Sequence, residues 1–151
     1  GLAAMFSATP AWRERASPKY QDMAGQGDAL GAAALWQLLE SVDQLRRDCA
    51  HLFENFDLIA MPSAAALPWP AHEAFPPLIA GQAVGPRGHA VFTGWVNAAG
   101  LPAVSVPVAP CATGMPIGMQ LIGPFGADDA VLDAAEAFEG LCPWGHRRPP
   151  L

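Results

Sequence analysis

Ala103-Val104-Ser105-Val106-Pro107-Val108 and, after an eight-residue connection, Ile117-Gly118-Met119-Gln120-Leu121-Ile122 are the two runs that decide the fold. Both are short and rich in Val and Ile. In the second, Ile117, Met119 and Leu121 alternate with Gly118, Gln120 and Ile122, the period of a strand. A connection that short suits antiparallel pairing, since parallel neighbours need a crossover of a dozen residues or more. Pro107 has no N–H to give a ladder, which confines that end of its strand to an edge or a bulge. Gly123-Pro124 ends the second run.

Outward from this pair the period changes to that of helices. Asp128 and Asp129 sit at the positive end of a predicted helix whose buried face is Val131, Leu132, Ala135 and Phe138. On the other side, residues 88–100 read as a helix with Val91, Phe92, Trp95, Val96 and Ala99 on one face. Gly100 suits the left-handed position after its end, and Leu101-Pro102 prevents continuation. Residues 62–88 carry six prolines and almost no periodicity, which predicts a long loop of the kind that forms part of a site or lid. Before it, Asp57-Leu58-Ile59-Ala60-Met61 is a continuously apolar run, which fits a strand buried on both faces.

The clearest stripe is Leu35, Leu38, Val42, Leu45, Cys49, Leu52 and Phe56, at steps of 3 and 4, on a helix predicted over 28–56 with Asp28 as its cap. It is too short for a sustained coiled coil, so the expectation is a helix lying on its own domain's core. Residues 1–27 read as irregular chain with short helices. The class is α/β, and 1–151 is taken as one region. Two or three short strands make a poor sheet, so the long helix and the isolated strand ask for neighbours.

Composition narrows the function. Fourteen acids against eight bases give a net charge of −6, the wrong sign for gripping phosphate backbones, so no nucleic-acid partner is expected. No stretch is long and apolar enough for a membrane span. Three scattered cysteines (Cys49, Cys111, Cys142) are not a disulfide framework, and reduced thiols point to the cytoplasm. His51, His72, His89 and His146 are far apart and Cys49 and His51 face different directions on a helix, so no metal and no cofactor is expected.

No G-x-S-x-G elbow, P-loop or strand-associated G-x-G-x-x-G is present. Among the serines, Ser105 lies inside a strand and reads as structural. Ser63 follows a strand's C-terminal end, where α/β sheets place functional groups, but no activating base is evident. Asp128/Asp129 and Glu136/Glu139 are explained by a helix end and solvated faces. No catalytic residue is assigned to the chain.

Phe56-Asp57-Leu58-Ile59-Ala60-Met61-Pro62-Ser63 resembles the F-D-hydrophobic-T-P-T strand of amidase signature enzymes. Phe92 to Pro107 resembles their F-T-x-P-x-N-x-x-G-x-P-A-x-S-V-P segment, and Gly114 to Pro124 their G-L-P-x-G-x-Q-L-x-G. Asp128 to Glu139 is similar to the helix that follows, and Trp144 to Pro150 to the family's last residues. The series runs in the family's order and covers residues 50–150. It implies the C-terminal portion of an amidase domain, in a mixed sheet flanked by helices and incomplete on its own. It also implies hydrolysis of carbon–nitrogen amide bonds by a Ser–cis-Ser–Lys triad with backbone N–H groups holding the oxyanion. In the family those groups lie upstream of the segments matched here. Lys19, the only lysine, stands in Ser17-Pro18-Lys19-Tyr20 with no Gly/Ser-rich stretch after it, so this chain alone is expected to be inactive.

The resemblance further implies that Phe92, Trp95 and Asn97 help shape a pocket for a small-molecule amide, although core packing is the better account of the two aromatics and satisfying buried backbone is the alternative role of Asn97. Trp95 stands where the family commonly has proline. Ala90 stands where the A subunits of glutamyl/aspartyl-tRNA amidotransferases carry an acid, which favours a general amidase over that alternative. A non-catalytic partner-binding α/β module, with the Leu35–Phe56 stripe and the sheet edge as its surface, is the reading from another class. A homo-oligomer is left open.

Overall fold

The computed structural model describes residues 1–148, so Pro149 and Pro150 of the terminal motif lie outside them. The chain divides into two compact units, Gly1–Ser41 and Val42 onward.

The first unit holds helices α1 (Leu2–Ala8), α2 (Pro10–Arg15) and α3 (Pro18–Asp28) and the beginning of α4 (Ala32–Leu52). Pro10 and Pro18 each open a helix, where their missing N–H costs nothing. Phe6 and Ala24 are buried between these short helices. Arg13 pairs with Asp28 at 3.0 Å across exposed surface, a contact worth little in water. Asp28 therefore closes α3 and is not the cap of the long helix. α4 starts at Ala32 and stops at Leu52, inside the expected 28–56, because Phe53, Glu54 and Asn55 turn back on the last carbonyls of the helix. Phe56 falls beyond it, 56% exposed. Of the predicted stripe, Cys49 alone is buried; Leu35, Leu38 and Leu52 are exposed. The expectation of a helix covered by its own core fails over that part of the stripe.

The second unit is built on a three-stranded sheet: β1 (Ile59–Pro62), β4 (Ala103–Pro107) and β5 (Gly118–Ile122), in the order β1-β5-β4 with both pairings antiparallel. The predicted pairing of the last two strands is present, with Ser105 opposite Gln120 and Val106 opposite Met119. β1 lies at an edge and alternates between half-buried and exposed residues, so it is not buried on both faces. Between β1 and β4, the proline-rich loop is interrupted by a two-residue hairpin, β2 (Leu78–Ile79) with β3 (Gln82–Ala83). It turns through Ala80 and Gly81, both at positive φ.

The helix expected over 88–100 is split. A 3-10 turn covers Gly88–Ala90 and α5 runs only from Gly94 to Ala99. Thr93 Oγ donates to the Ala90 carbonyl at 3.2 Å, a local bond that competes with helix continuation. Val91 is consequently exposed, while Val96 and Ala99 are buried and Phe92 and Trp95 half-buried. Gly100 does take the left-handed conformation, with φ +76°. Its N–H reaches Asn97 O and that of Leu101 reaches Val96 O, the bond pair that closes a helix at a left-handed residue.

α6 (Asp128–Leu141) packs on β4 and β5. Val131 is buried, and Ala135 and Phe138, following at steps of 4 and 3, share its face. Leu132, one residue off that row, is 60% exposed and does not belong to the buried face. The approach of α6 needs Gly123, where a Cβ would meet Val131 Cγ2 at 2.5 Å.

Candidate functional site

Period-2 alternation sets one face of the sheet. Gly118 and Gln120 of β5, Ser105 of β4, and Ser63, which extends β1 by donating its N–H to Gly118 O at 3.0 Å, all lie on it. Ser63 and Ser105 are 42 residues apart in sequence, yet their hydroxyl oxygens are 2.6 Å from one another. Gly118 lies between them; a Cβ there would come within 2.8 Å of both oxygens. Glycine suits that position because a Cβ would crowd the space in which the hydroxyls meet, and a serine side chain would have to shift.

Gln120 anchors the same face. Its side chain is buried, 4% exposed, and Nε2 donates to Phe92 O at 2.6 Å and more distantly to Pro62 O at 3.5 Å. This ties the turn before α5 to the sheet and satisfies a polar group that would otherwise be costly to bury. Between α5 and the sheet opens a cavity of about 210 Å³ whose polar lining is Ser63, Thr93, Asn97, Ser105 and Gln120. A second cavity, about 390 Å³, shares Ser63 with the first. Its lining is the loop Ala64-Ala65-Ala66-Leu67-Pro68-Trp69 together with Pro116, Ile117 and Gly118. That loop is held by Ala65 N–H on His89 O and by Trp69 Nε1 on Glu73 O, both at 3.0 Å, with the Trp69 ring tilted against His89.

Of the three pocket residues expected from the sequence, Asn97 lines the polar cavity. Phe92 contributes its carbonyl to Gln120, and Trp95 is half-buried on α5; neither side chain is among the residues lining that cavity. The meeting of Ser63 with Ser105 is not foreseen when each serine is weighed alone. The signal available is strand parity: Gly118 and Gln120 share a face, so their neighbours at Ser63 and Ser105 must share it too.

The hydroxyl pair is not an activated nucleophile. Each serine's described side-chain partner is the other serine, and the described residues of the lining include no charged group, so none of them draws a proton from either oxygen. Elsewhere, Cys111 Sγ lies 3.0 Å from the Thr113 hydroxyl, and that hydrogen bond draws the thiol below its ordinary range. Burial, with the Asp48 charge as a lesser cause, pushes Cys49 up. No group of three or more potential metal ligands occurs among the described residues, nor any helix long and apolar enough to cross a membrane.

Residues 9–132 match the amidase family model. A 6-aminohexanoate-cyclic-dimer hydrolase of Pseudomonas sp. (strain NK87) is 43% identical over 60 residues, 40% of this chain and 12% of that enzyme. The A subunit of the glutamyl-tRNA(Gln) amidotransferase of Moorella thermoacetica is 36% identical over 107 residues, 71% of this chain and 21% of that protein. The crystal structure of a bacterial aryl acylamidase of the amidase signature family superposes with a TM-score of 0.79 at 23% identity. It matches over 95% of this chain and 32% of its own, a likeness of fold. The chain thus spans about a fifth or less of the length of these two curated relatives.

Proposed function

The chain belongs to the amidase family, and from that premise we propose that it forms the C-terminal, pocket-shaping part of a hydrolase of carbon–nitrogen amide bonds. The observation that carries this reading is spatial. Segments around β1, α5, β4 and β5, which resemble the family one by one in sequence, converge on one polar cavity. Its partner is a small-molecule amide, and Asn97, with help from Phe92 and Trp95, shapes the seat. The nucleophilic serine, the middle serine and the lysine come from polypeptide outside residues 1–151: the Ser63–Ser105 pair has only each other as described side-chain partners, and Lys19 has no Gly/Ser-rich stretch after it. Three free thiols suit a reducing compartment, the cytoplasm.

Two proteins test this: the 151-residue chain, and one extended upstream through a lysine and a Gly/Ser-rich stretch. The extended protein is expected to release 4-nitroaniline from short acyl 4-nitroanilides and the 151-residue chain is not. Turnover by the shorter chain overturns the external nucleophile. An extended protein inert toward anilides, cyclic amides and glutamine overturns the hydrolase.

The length of similarity to the amidotransferase protein, 107 residues, favours one second reading, an A subunit that draws ammonia from glutamine. Glutamine hydrolysis by the extended protein with no action on anilides would establish it in place of the first.

A further inference from the structure

We propose that the outer edge of β4 is a docking surface for a second copy of this chain, the two β4 strands pairing antiparallel about a two-fold axis at Val104. The inference goes beyond the amidase reading and does not depend on it.

Backbone parity fixes which groups that edge presents. Val108 N–H reaches Ile117 O at 2.9 Å and Gly123 N–H reaches Pro102 O at 3.0 Å, both continuing the β4–β5 ladder. In an antiparallel pair such bonds recur at every second residue. The backbone of Val104 and Val106 therefore faces β5, and that of Ala103, Ser105 and Pro107 faces outward. Ala103 and Ser105 are exposed, and no group among the described residues accepts either N–H.

Both ends of this edge are bounded. Pro107 has no N–H, and the N–H of Leu101 is spent on Val96 O at 3.1 Å. The outward donors are left on Ala103 and Ser105, symmetrical about Val104. An edge of that form is its own complement. With Val104 opposite Val104 of the second copy, Ala103 stands opposite Ser105, and each such pair exchanges both of its N–H···O=C bonds. Sliding the axis to Ser105 sets Ala103 against Pro107, which accepts a bond and returns none. Sliding it to Ala103 sets Ser105 against Leu101, whose N–H is already committed. The register centred on Val104 is the one that satisfies both strands reciprocally.

Charge does not oppose the contact. β4 carries no charged residue, so the net charge of −6 lies elsewhere, and the strand lacks the lysines with which sheet edges commonly repel pairing. The opposite edge is poorer. There Ser63 N–H on Gly118 O sets the parity, so β1 turns Ala60 and Pro62 outward, and Pro62 donates nothing. Pairing through β4 joins two three-stranded sheets into a continuous one, within the size at which sheets are commonest. Because the same patch is used on both copies, the contact closes at a dimer.

The test uses the 151-residue chain. Sedimentation equilibrium from about 1 μM to about 1 mM reads the association, and 1H–15N hydrogen exchange at the two ends of that range reads the edge. A monomer–dimer equilibrium is expected. The Ala103 and Ser105 amides are expected to exchange at least about tenfold more slowly where the dimer predominates, while Val104 and Val106, bonded to β5, stay protected throughout. Ala103→Lys and Ala103→Glu each bring like charges together across the axis and are each expected to weaken the dimer at least about tenfold. An equimolar mixture of the two is expected to restore association as a heterodimer. Ala103→Pro removes an outward N–H and is expected to weaken the dimer by a similar factor; the charged variants, at an exposed position, keep the test open if the proline variant misfolds. Leu38→Ser, on the exposed stripe of α4, is expected to leave the dimer unchanged. A chain that stays monomeric over the whole range overturns the proposal. So does protection of Ala103 and Ser105 that is independent of concentration, which would mean cover from within the chain. A mixture that associates no better than its components, or a dimer lost in Leu38→Ser, overturns it as well. No turnover enters these readouts, so failure of this interface and failure of the extended protein to hydrolyse amides are separate results.

Discussion

Ile122 on β5 is fully buried, whereas Trp36 on α4 is 64% exposed. Both stand in segments whose apolar pattern is unmistakable in sequence. In the second unit, β5 is flanked by a strand on each side and by α6, which packs on it and on β4. In the first unit, every residue from Gly31 to Ser41 is exposed. The difference teaches that periodicity reports which face of an element is apolar and says nothing about what, if anything, covers it. An apolar residue stabilises the fold in proportion to the area removed from water, so the two regions should respond very differently to substitution.

The largest effect is expected at the covered end. Ile122→Ala removes a wholly buried side chain and should cost about 2–5 kcal/mol, read as a fall in the urea midpoint at unchanged slope. A cost below about 1 kcal/mol would mean that the sheet is no more settled than the open helix. Next in size is Gly118→Ala, whose Cβ would collide with both serine hydroxyls and should cost about 1–3 kcal/mol. Combining it with Ser63→Ala and Ser105→Ala removes the colliding oxygens. The triple variant should therefore be more stable than additivity allows, a coupling that a thermodynamic cycle measures. Additive costs would show that the crowding is not where the structure puts it.

A smaller contrast separates two thiols. Cys111, drawn down by the Thr113 hydroxyl, holds more thiolate at a given pH than Cys49, which burial pushes up. As pH rises from neutral, iodoacetamide should label Cys111 first, and Thr113→Val should move its profile to higher pH, both followed by peptide mass spectrometry. The same sign gives a stability effect at Cys49. Its buried neutral thiol stabilises the fold below the ordinary thiol pKa, and that contribution is lost as pH climbs through the raised value. The smallest effect is expected at the open end: Leu38→Ser, at a side chain 54% exposed, should change stability by no more than about 0.5 kcal/mol. A loss of about 2 kcal/mol or more, large by comparison with a surface substitution, would show the stripe to be covered in solution.

Much of the architecture is legible along the chain. The antiparallel β4–β5 pair, the left-handed Gly100 and the helix from Asp128 follow from alternation, from a residue lacking Cβ, and from acids at a helix's positive end. The misreadings share a cause. Residues 88–100 have a helical period throughout, but the run is split at a turn where the Ala90 carbonyl accepts both the N–H and the hydroxyl of Thr93. Leu132 looks like core by composition and lies one position off the row that reaches the sheet. Asp28 looks like a cap and instead ends the preceding helix. Asn97, singled out by its motif, lies among the residues lining the polar cavity, while the pairing of Ser63 with Ser105 is not foreseen.

Local periods of 3.6 and 2, the special conformations of Gly and Pro, and the resemblance of ordered motifs to a family are properties of the chain read along its length. They determined the elements and the kinship. Which residues separated by 42 positions share a hydrogen bond, and which apolar stripe finds cover, were decided only when three strands took their register around β5. A one-residue slip there would turn Gly118 and Gln120 to the opposite face and part the two serines. Register is a balance of contacts across the whole sheet, and no window of sequence contains it.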